Sequence, residues 1–154
     1  VAITAPCYWV SPGGAILIGL IAGILLYYAT LALEHFRVDD PVGAVPVHGI
    51  NGIWGTISLG LFACGQYGVT GPTGADNSAP VKGLFYGGGT DVLTAQATGS
   101  IIITVATFVV ALILMWVVNK LPHPWKLRVE AEAETSPGGL DVFEHGVSAY
   151  HTQE

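Results

Sequence analysis

The sequence predicts an all-α membrane protein, and two observations carry that prediction. Only 10% of its 154 residues are charged, against about 25% in soluble domains, and the mean hydropathy is +0.59. Three stretches, residues 13–33, 41–64 and 92–119, contain no Asp, Glu, Lys or Arg. Each has the roughly 20 residues that a helix needs to cross a bilayer. A buried helix of a soluble bundle is rarely so long and so free of charge.

The first elements are predicted from turn and capping residues. Residues 1–10 are interpreted as the end of a preceding transmembrane helix, and a Ser-Pro-Gly-Gly sequence then marks a turn. Ser11 suits the N-cap and Pro12 the first helical position of a transmembrane helix at residues 13–34. Because the chain starts with Val1 and has no signal-peptide pattern, we expect it to be a piece of a larger protein.

The remaining elements follow from the other two uncharged stretches. A second transmembrane helix is predicted at residues 40–65, and a long third one at residues 91–120. The connection at residues 66–90 is rich in glycine and is predicted to be irregular. The polar residues 121–154 form a tail.

The basic residues predict the orientation in the membrane. Four of the five basic residues lie on one side of the membrane if each uncharged stretch crosses it once: Arg37, Lys120, Lys126 and Arg128. The fifth, Lys82, lies on the other side, in the connection at residues 66–90. The positive-inside rule then puts the tail in the cytoplasm and residues 66–90 outside the cell. We therefore expect a multi-pass protein of the plasma membrane. Nothing in the chain forms a basic patch for nucleic acid.

His48 is the main candidate functional residue. It lies in the middle of an uncharged stretch, where an ionisable group is costly and is a functional hypothesis by default. The alternatives are a structural histidine or a haem ligand. The haem reading usually requires a second histidine at membrane depth, which this chain does not offer. The sequence calls for no catalytic residue, cofactor or metal. Cys7 and Cys64 lack metal-binding spacing and are interpreted as packing residues, with a disulfide between them as the alternative.

Asp40 and Pro46 bracket the start of the second helix. Asp40 precedes a proline, which suits a cap that accepts hydrogen bonds from free N–H groups. The alternative is an electrostatic role at the mouth of a pore. Pro46 lacks an N–H group and is predicted to kink or loosen the helix just before His48.

Small residues surround the histidine at helical spacing. In an α-helix, Ala44, His48, Gly52 and Thr56 share one face. One interpretation is a tight seam between helices, because small residues let backbones approach closely in lipid. The other is a narrow lumen, lined partly by bare backbone, into which one imidazole projects.

Three sequence segments resemble a known family. They are VAITAPCYWVSPGGAILIGLIAGI, DDPVGAVPVHGINGIWG, and the LRV and GLDVFEHGVSAY segments of the tail. Together they are similar to the C-terminal part of an ammonium transporter of the Amt/Mep/Rh superfamily, on the Amt side. The resemblance implies an eleven-span, inverted-repeat fold that forms homotrimers with a pore in each subunit. The N-terminal spans would have to be supplied in addition to this chain.

The resemblance also implies roles for individual residues. His48 matches the second of two histidines that face each other in the family's narrow apolar pore, and the first lies on a span that this chain lacks. Asp40 matches an aspartate at the start of the same span. In the tail, the resemblance assigns a regulatory motif that contacts a neighbouring subunit and PII-type proteins; it comprises Gly139, Asp141, His145 and Tyr150. The chain departs from the pattern at Val147, where family tails often carry Glu, and at Gly43, where some relatives carry a carboxylate.

The sequence therefore predicts transport of ammonium or ammonia through an apolar pore, with a histidine proton relay. A neutral imidazole has one donor and one acceptor and can pass a proton near physiological pH, whereas bare ammonium in hydrocarbon is prohibitively costly. Methylammonium is a second candidate substrate. The alternative is a membrane sensor of ammonium that signals through its tail. A third reading, an inert anchoring subunit, would not need His48.

Overall fold

The computed structural model describes residues 1–67, 80–122, 125 and 139–147. These residues form helices and turns; the part described contains no β-strand, only an isolated antiparallel bridge between Cys64 and Lys82. The chain divides into two compact units, Val1–Ala106 and Thr107–Glu154. His48 belongs to the first unit.

Helix α1 runs from Pro12–His35, close to the predicted residues 13–34. Ser11 is its N-cap and accepts a hydrogen bond from Gly14 N at 3.2 Å. The helix ends in a Schellman turn in which Val38 N donates to Leu33 O, with Arg37 in the left-handed conformation at φ +57°. Its 24 residues span about 36 Å, enough to cross a bilayer of about 30 Å.

The second uncharged stretch forms two consecutive helical elements. A π-helical turn occupies Val45–Ile50, and helix α2 continues from Asn51–Phe62. The helical part is therefore shorter than the predicted residues 40–65. Of the helices in the described part, α1 and α3 are each long and apolar enough to cross a membrane, whereas α2 alone is too short.

Helix α3 runs from Asp91–Asn119, matching the position of the predicted third helix. A short 3₁₀ helix, Leu84–Tyr86, precedes it, so the end of the connection is more ordered than the predicted irregular loop. Residues 68–79 lie outside the described part. The second unit contains the end of α3 and helix α4, Gly139–His145.

The apolar core joins residues 1–10, α1 and α2. Ala2, Val10 and Ile18 are buried together, with partly buried neighbours packed against them: Ile3, Ala15, Ala22, Trp54 and Phe62. The N-terminal residues pass so close to α2 that a Cβ on Gly55 would lie 2.5 Å from the Ala2 carbonyl oxygen. Only glycine fits at this crossing without a shift of backbone.

Hydrogen bonds from the ends of α2 fix its position. Trp54 Nε1 donates to Ile18 O on α1 at 3.1 Å. At the other end, Cys64 N donates to Trp9 O at 2.9 Å and Gly83 N donates to Ala63 O at 2.8 Å. These bonds hold α2 against both its preceding and its following segments.

Candidate functional site

His48 lies within the π-helical turn, and its side chain is exposed on the surface of this chain. A π turn holds about one residue more than an α-helical turn and is found frequently at functional sites. No Asp, Glu, Lys or Arg occurs between Pro41 and the end of α2. The ring thus projects from an uncharged helix on a face that the described residues leave uncovered.

Asp40 is bound to the start of the turn through both carboxylate oxygens. Oδ1 accepts a hydrogen bond from Ala44 N and Oδ2 accepts one from Val45 N, each at 2.8 Å. These are backbone donors that a helix leaves unpaired at its beginning. The contact is of the kind expected for a cap, although the turn starts at Val45, several residues after the predicted start of the helix.

The structure corrects the interpretation of Pro46. The sequence predicts it in the second turn of the helix, where a missing N–H group would kink or loosen the helix. Pro46 instead lies in the first turn, where the N–H group has no helical partner in any case. Its side chain is fully buried. The helix widens into a π turn around His48, which is a loosening of the kind predicted there, but Pro46 deprives it of no intrahelical hydrogen bond.

Gly52 and Thr56 have different surroundings. A Cβ on Gly52 would meet no atom within 4 Å, so this residue faces open space within the part described. The hydroxyl of Thr56 contacts the hydroxyl of Ser100 on α3, and it also donates to Ile53 O at 2.9 Å. The structure thus places Gly52 beside the uncovered face and Thr56 at a helix contact.

Two residues near the site were not singled out from the sequence. Trp54 ties α2 to α1 through its indole N–H group. Asn51 is only 7% exposed, and its Oδ1 has no hydrogen-bond partner among the described residues. Asn51 could have been noticed in the sequence because it is a polar residue in an apolar helix. No sequence pattern indicates which residue accepts the hydrogen bond of Trp54.

The tail residues are described only in part. Gly139 begins α4 at φ +71°, and the backbone of Asp141 and His145 belongs to the same helix. The side chains of those two residues and the whole of Tyr150 lie outside the described part.

The described residues hold no group of three or more His, Cys, Asp or Glu side chains that could bind a metal ion. Both cysteines are free thiols. Cys64 is buried, as expected for a packing residue, but Cys7 is exposed. The interpretation of Cys7 as a packing residue is therefore not supported within this chain.

Among the described residues, α1 and α3 are each long and apolar enough to cross a membrane. The model of the Ammonium Transporter Family matches residues 1–150, and the chain belongs to that family. This confirms the resemblance seen in the sequence.

Several curated relatives carry names of transporters. Ammonium transporter Amt2 of Archaeoglobus fulgidus is 41% identical over 97% of this chain and 30% of its own length. A putative ammonium transporter of Synechocystis is 37% identical over 95% of the chain and 27% of its own length. An ammonium transporter of Bacillus subtilis is 35% identical over 97% of the chain and 34% of its own length. The chain thus spans about 30% of the length of the relatives it matches. No solved structure matches it significantly.

Proposed function

We propose that this chain forms part of a pathway for ammonium or ammonia across the membrane, with His48 as a proton-relaying residue in that pathway. The observation that carries the proposal is the exposed imidazole on a π turn of an uncharged segment. Further spans, like those in the rest of the relatives' length, would cover this face and enclose the pore. Membership of the ammonium transporter family supports the choice of substrate.

The chemistry follows from the properties of imidazole. Ammonium cannot cross hydrocarbon as a bare ion, because an isolated buried charge costs many kcal/mol. A neutral imidazole accepts a proton on one nitrogen and donates from the other. A second histidine facing His48 would let the proton and the neutral amine move along the same narrow, apolar path.

The test is the ammonium-evoked current of the transporter that contains this chain, reconstituted in liposomes. We expect His48→Ala to lower the ammonium-selective current by about tenfold or more. His35→Ala is the matched control, since His35 is also exposed but lies at the end of α1, outside the uncharged segment. An undiminished, ammonium-selective current in His48→Ala would remove His48 from the mechanism.

The same assay separates transport from sensing. A sensor would bind ammonium without carrying a current, whereas the names of the relatives favour transport. Methylammonium is the second substrate to be compared, as the uptake of a radiolabelled analogue.

The assembly and its regulation are part of the proposal. We propose a homotrimer in the plasma membrane with a cytoplasmic C-terminus, whose tail contacts a neighbouring subunit and a PII-type regulatory protein. The family match through residue 150 supports a family-type tail, and Gly139 and Asp141 carry its GLD motif. Deletion of residues 139–147 should abolish binding of a purified PII-type protein while trimers persist in native mass measurements. Retained binding would contradict the assignment of the tail.

A further inference from the structure

The π turn around His48 changes which backbone carbonyls receive a hydrogen bond. Asn51 N donates to Pro46 O and to His48 O. In a regular α-helix this N–H group would donate to the carbonyl of Val47, four residues back. The π pattern ends and the α-helix begins at Asn51. The Val47 carbonyl lies at the junction of the π-helical and α-helical hydrogen-bond patterns. The donor that an α-helix would supply to it, Asn51 N, is directed to Pro46 O and His48 O instead.

A carbonyl that receives no donor from its own helix needs one from outside it. The segment is uncharged and apolar, and a backbone carbonyl left unpaired in such surroundings costs several kcal/mol. Non-helical backbone at membrane depth is tolerated where it lines a cavity or a pathway. Interrupted helices use the freed carbonyls to bind cationic cargo.

The Val47 carbonyl is also well placed beside the imidazole. It belongs to the peptide unit that joins Val47 to His48, so the two groups are immediate neighbours along the chain. The side chain of His48 is exposed, and Gly52 on the next turn offers no side chain and faces open space. The uncovered face beside His48 and Gly52 is the side from which a small N–H donor would approach this part of the backbone.

We propose that the carbonyl oxygen of Val47 binds the transported molecule by accepting a hydrogen bond from an N–H of ammonium or ammonia next to His48. This inference rests on the proposed function and adds a second contact to it. An imidazole that has taken up a proton has no acceptor nitrogen left. The carbonyl remains an acceptor in both protonation states of the ring, and it holds the substrate without exchanging a proton.

Deletion of Val47 tests the proposal with little disturbance of the helix. Pro46 lies five residues before Asn51, and the deletion shortens this spacing to four. The existing hydrogen bond from Asn51 N to Pro46 O then has the spacing of an α-helix. His48 keeps its spacing to α2, and the extra carbonyl disappears. We expect the half-saturation concentration for ammonium to rise by about tenfold or more, the loss of one good hydrogen bond. The pH dependence of transport should not change, because a carbonyl does not titrate.

The control is deletion of Gln66, an exposed residue in the connection after α2, which shortens the chain equally and should leave the half-saturation concentration within twofold. Should the Val47 deletion fail to fold, Gly52→Val covers the same face with a side chain and should give the same increase. A wild-type half-saturation concentration in a folded variant overturns the proposal. If His48→Ala is also without effect, the proposed function fails as well; if only His48→Ala is impaired, the Val47 contact alone is wrong.

Discussion

Trp54 donates from Nε1 to the carbonyl oxygen of Ile18 at 3.1 Å, across 36 positions of sequence. Ile18 is fully buried in the N-terminal half of α1, and Trp54 packs against the same apolar cluster. The indole therefore joins α1 and α2 by both a hydrogen bond and apolar contact. It lies six residues after His48, so this link also fixes the helix from which the candidate pathway residue projects.

Trp54→Phe should destabilise the protein only slightly. The change removes the hydrogen bond but keeps an aromatic ring in the cluster, and the Ile18 carbonyl lies within a helix that supplies its own donor. Hydrogen bonds between membrane helices average about 0.6 kcal/mol, so we expect a loss of about that size in the free energy of unfolding. Trp54→Ala also removes packing and should cost about 2 kcal/mol or more. Reversible unfolding in mixed micelles measures both; equal losses for the two variants would assign the whole effect to the hydrogen bond.

Gly55 and Gly52 form a matched pair of glycines on α2. In Gly55→Ala the new Cβ would lie 2.5 Å from the Ala2 carbonyl oxygen, so the backbone must shift, at a cost of about 1–3 kcal/mol. In Gly52→Ala the Cβ meets nothing within 4 Å, and alanine is the better helix former by about 1 kcal/mol. Thermal unfolding should thus show a lower midpoint for Gly55→Ala alone.

The transport assay then shows whether a position on α2 lines the pathway or only packs against a neighbouring segment. Gly52→Ala narrows the uncovered face beside His48 and should slow ammonium transport without loss of stability. Normal transport by this variant would mean that Gly52 does not line the pathway.

Asp40→Ala should destabilise the π turn that holds His48. The substitution leaves the N–H groups of Ala44 and Val45 without their carboxylate acceptor. Loss of a cap of this kind costs about 0.5–2 kcal/mol. Asp40→Asn keeps one acceptor oxygen and should lose about half as much. Hydrogen exchange at Ala44 and Val45 gives the readout, and unchanged protection in Asp40→Ala would show that the cap does not hold the turn.

The positions of α1 and α3 could be predicted from the sequence because length and the absence of charge are local signals. Ser11 illustrates this, since its role as the N-cap of α1 depends only on the residues that follow it. Composition singles out His48 in the same way, as an isolated histidine among glycines in an uncharged segment, and its role in transport stays a prediction.

The π turn could not be predicted, because no residue type specifies it. Pro46 predicts a kink or a loosening through the loss of its N–H group, but it occupies the first turn, where that group would have no intrahelical partner. The Trp54–Ile18 bond and the contact of Thr56 with Ser100 link residues far apart in sequence. Such contacts depend on how the helices pack, which periodicity alone does not determine.

Arg37 offers a prediction about backbone strain. Among the described residues it is the one non-glycine residue with positive φ, at +57°, and it occupies the position after a helix where glycine is preferred. A side chain in this conformation costs about 1 kcal/mol, so Arg37→Gly should raise the free energy of unfolding by up to that amount. Arg37→Ala keeps the strain but loses the charge that favours the C-terminal end of the helix dipole, and it should be less stable than the wild type. Chemical denaturation of both variants gives the comparison, and a less stable Arg37→Gly would show that the guanidinium contributes more to α1 than its backbone strain removes.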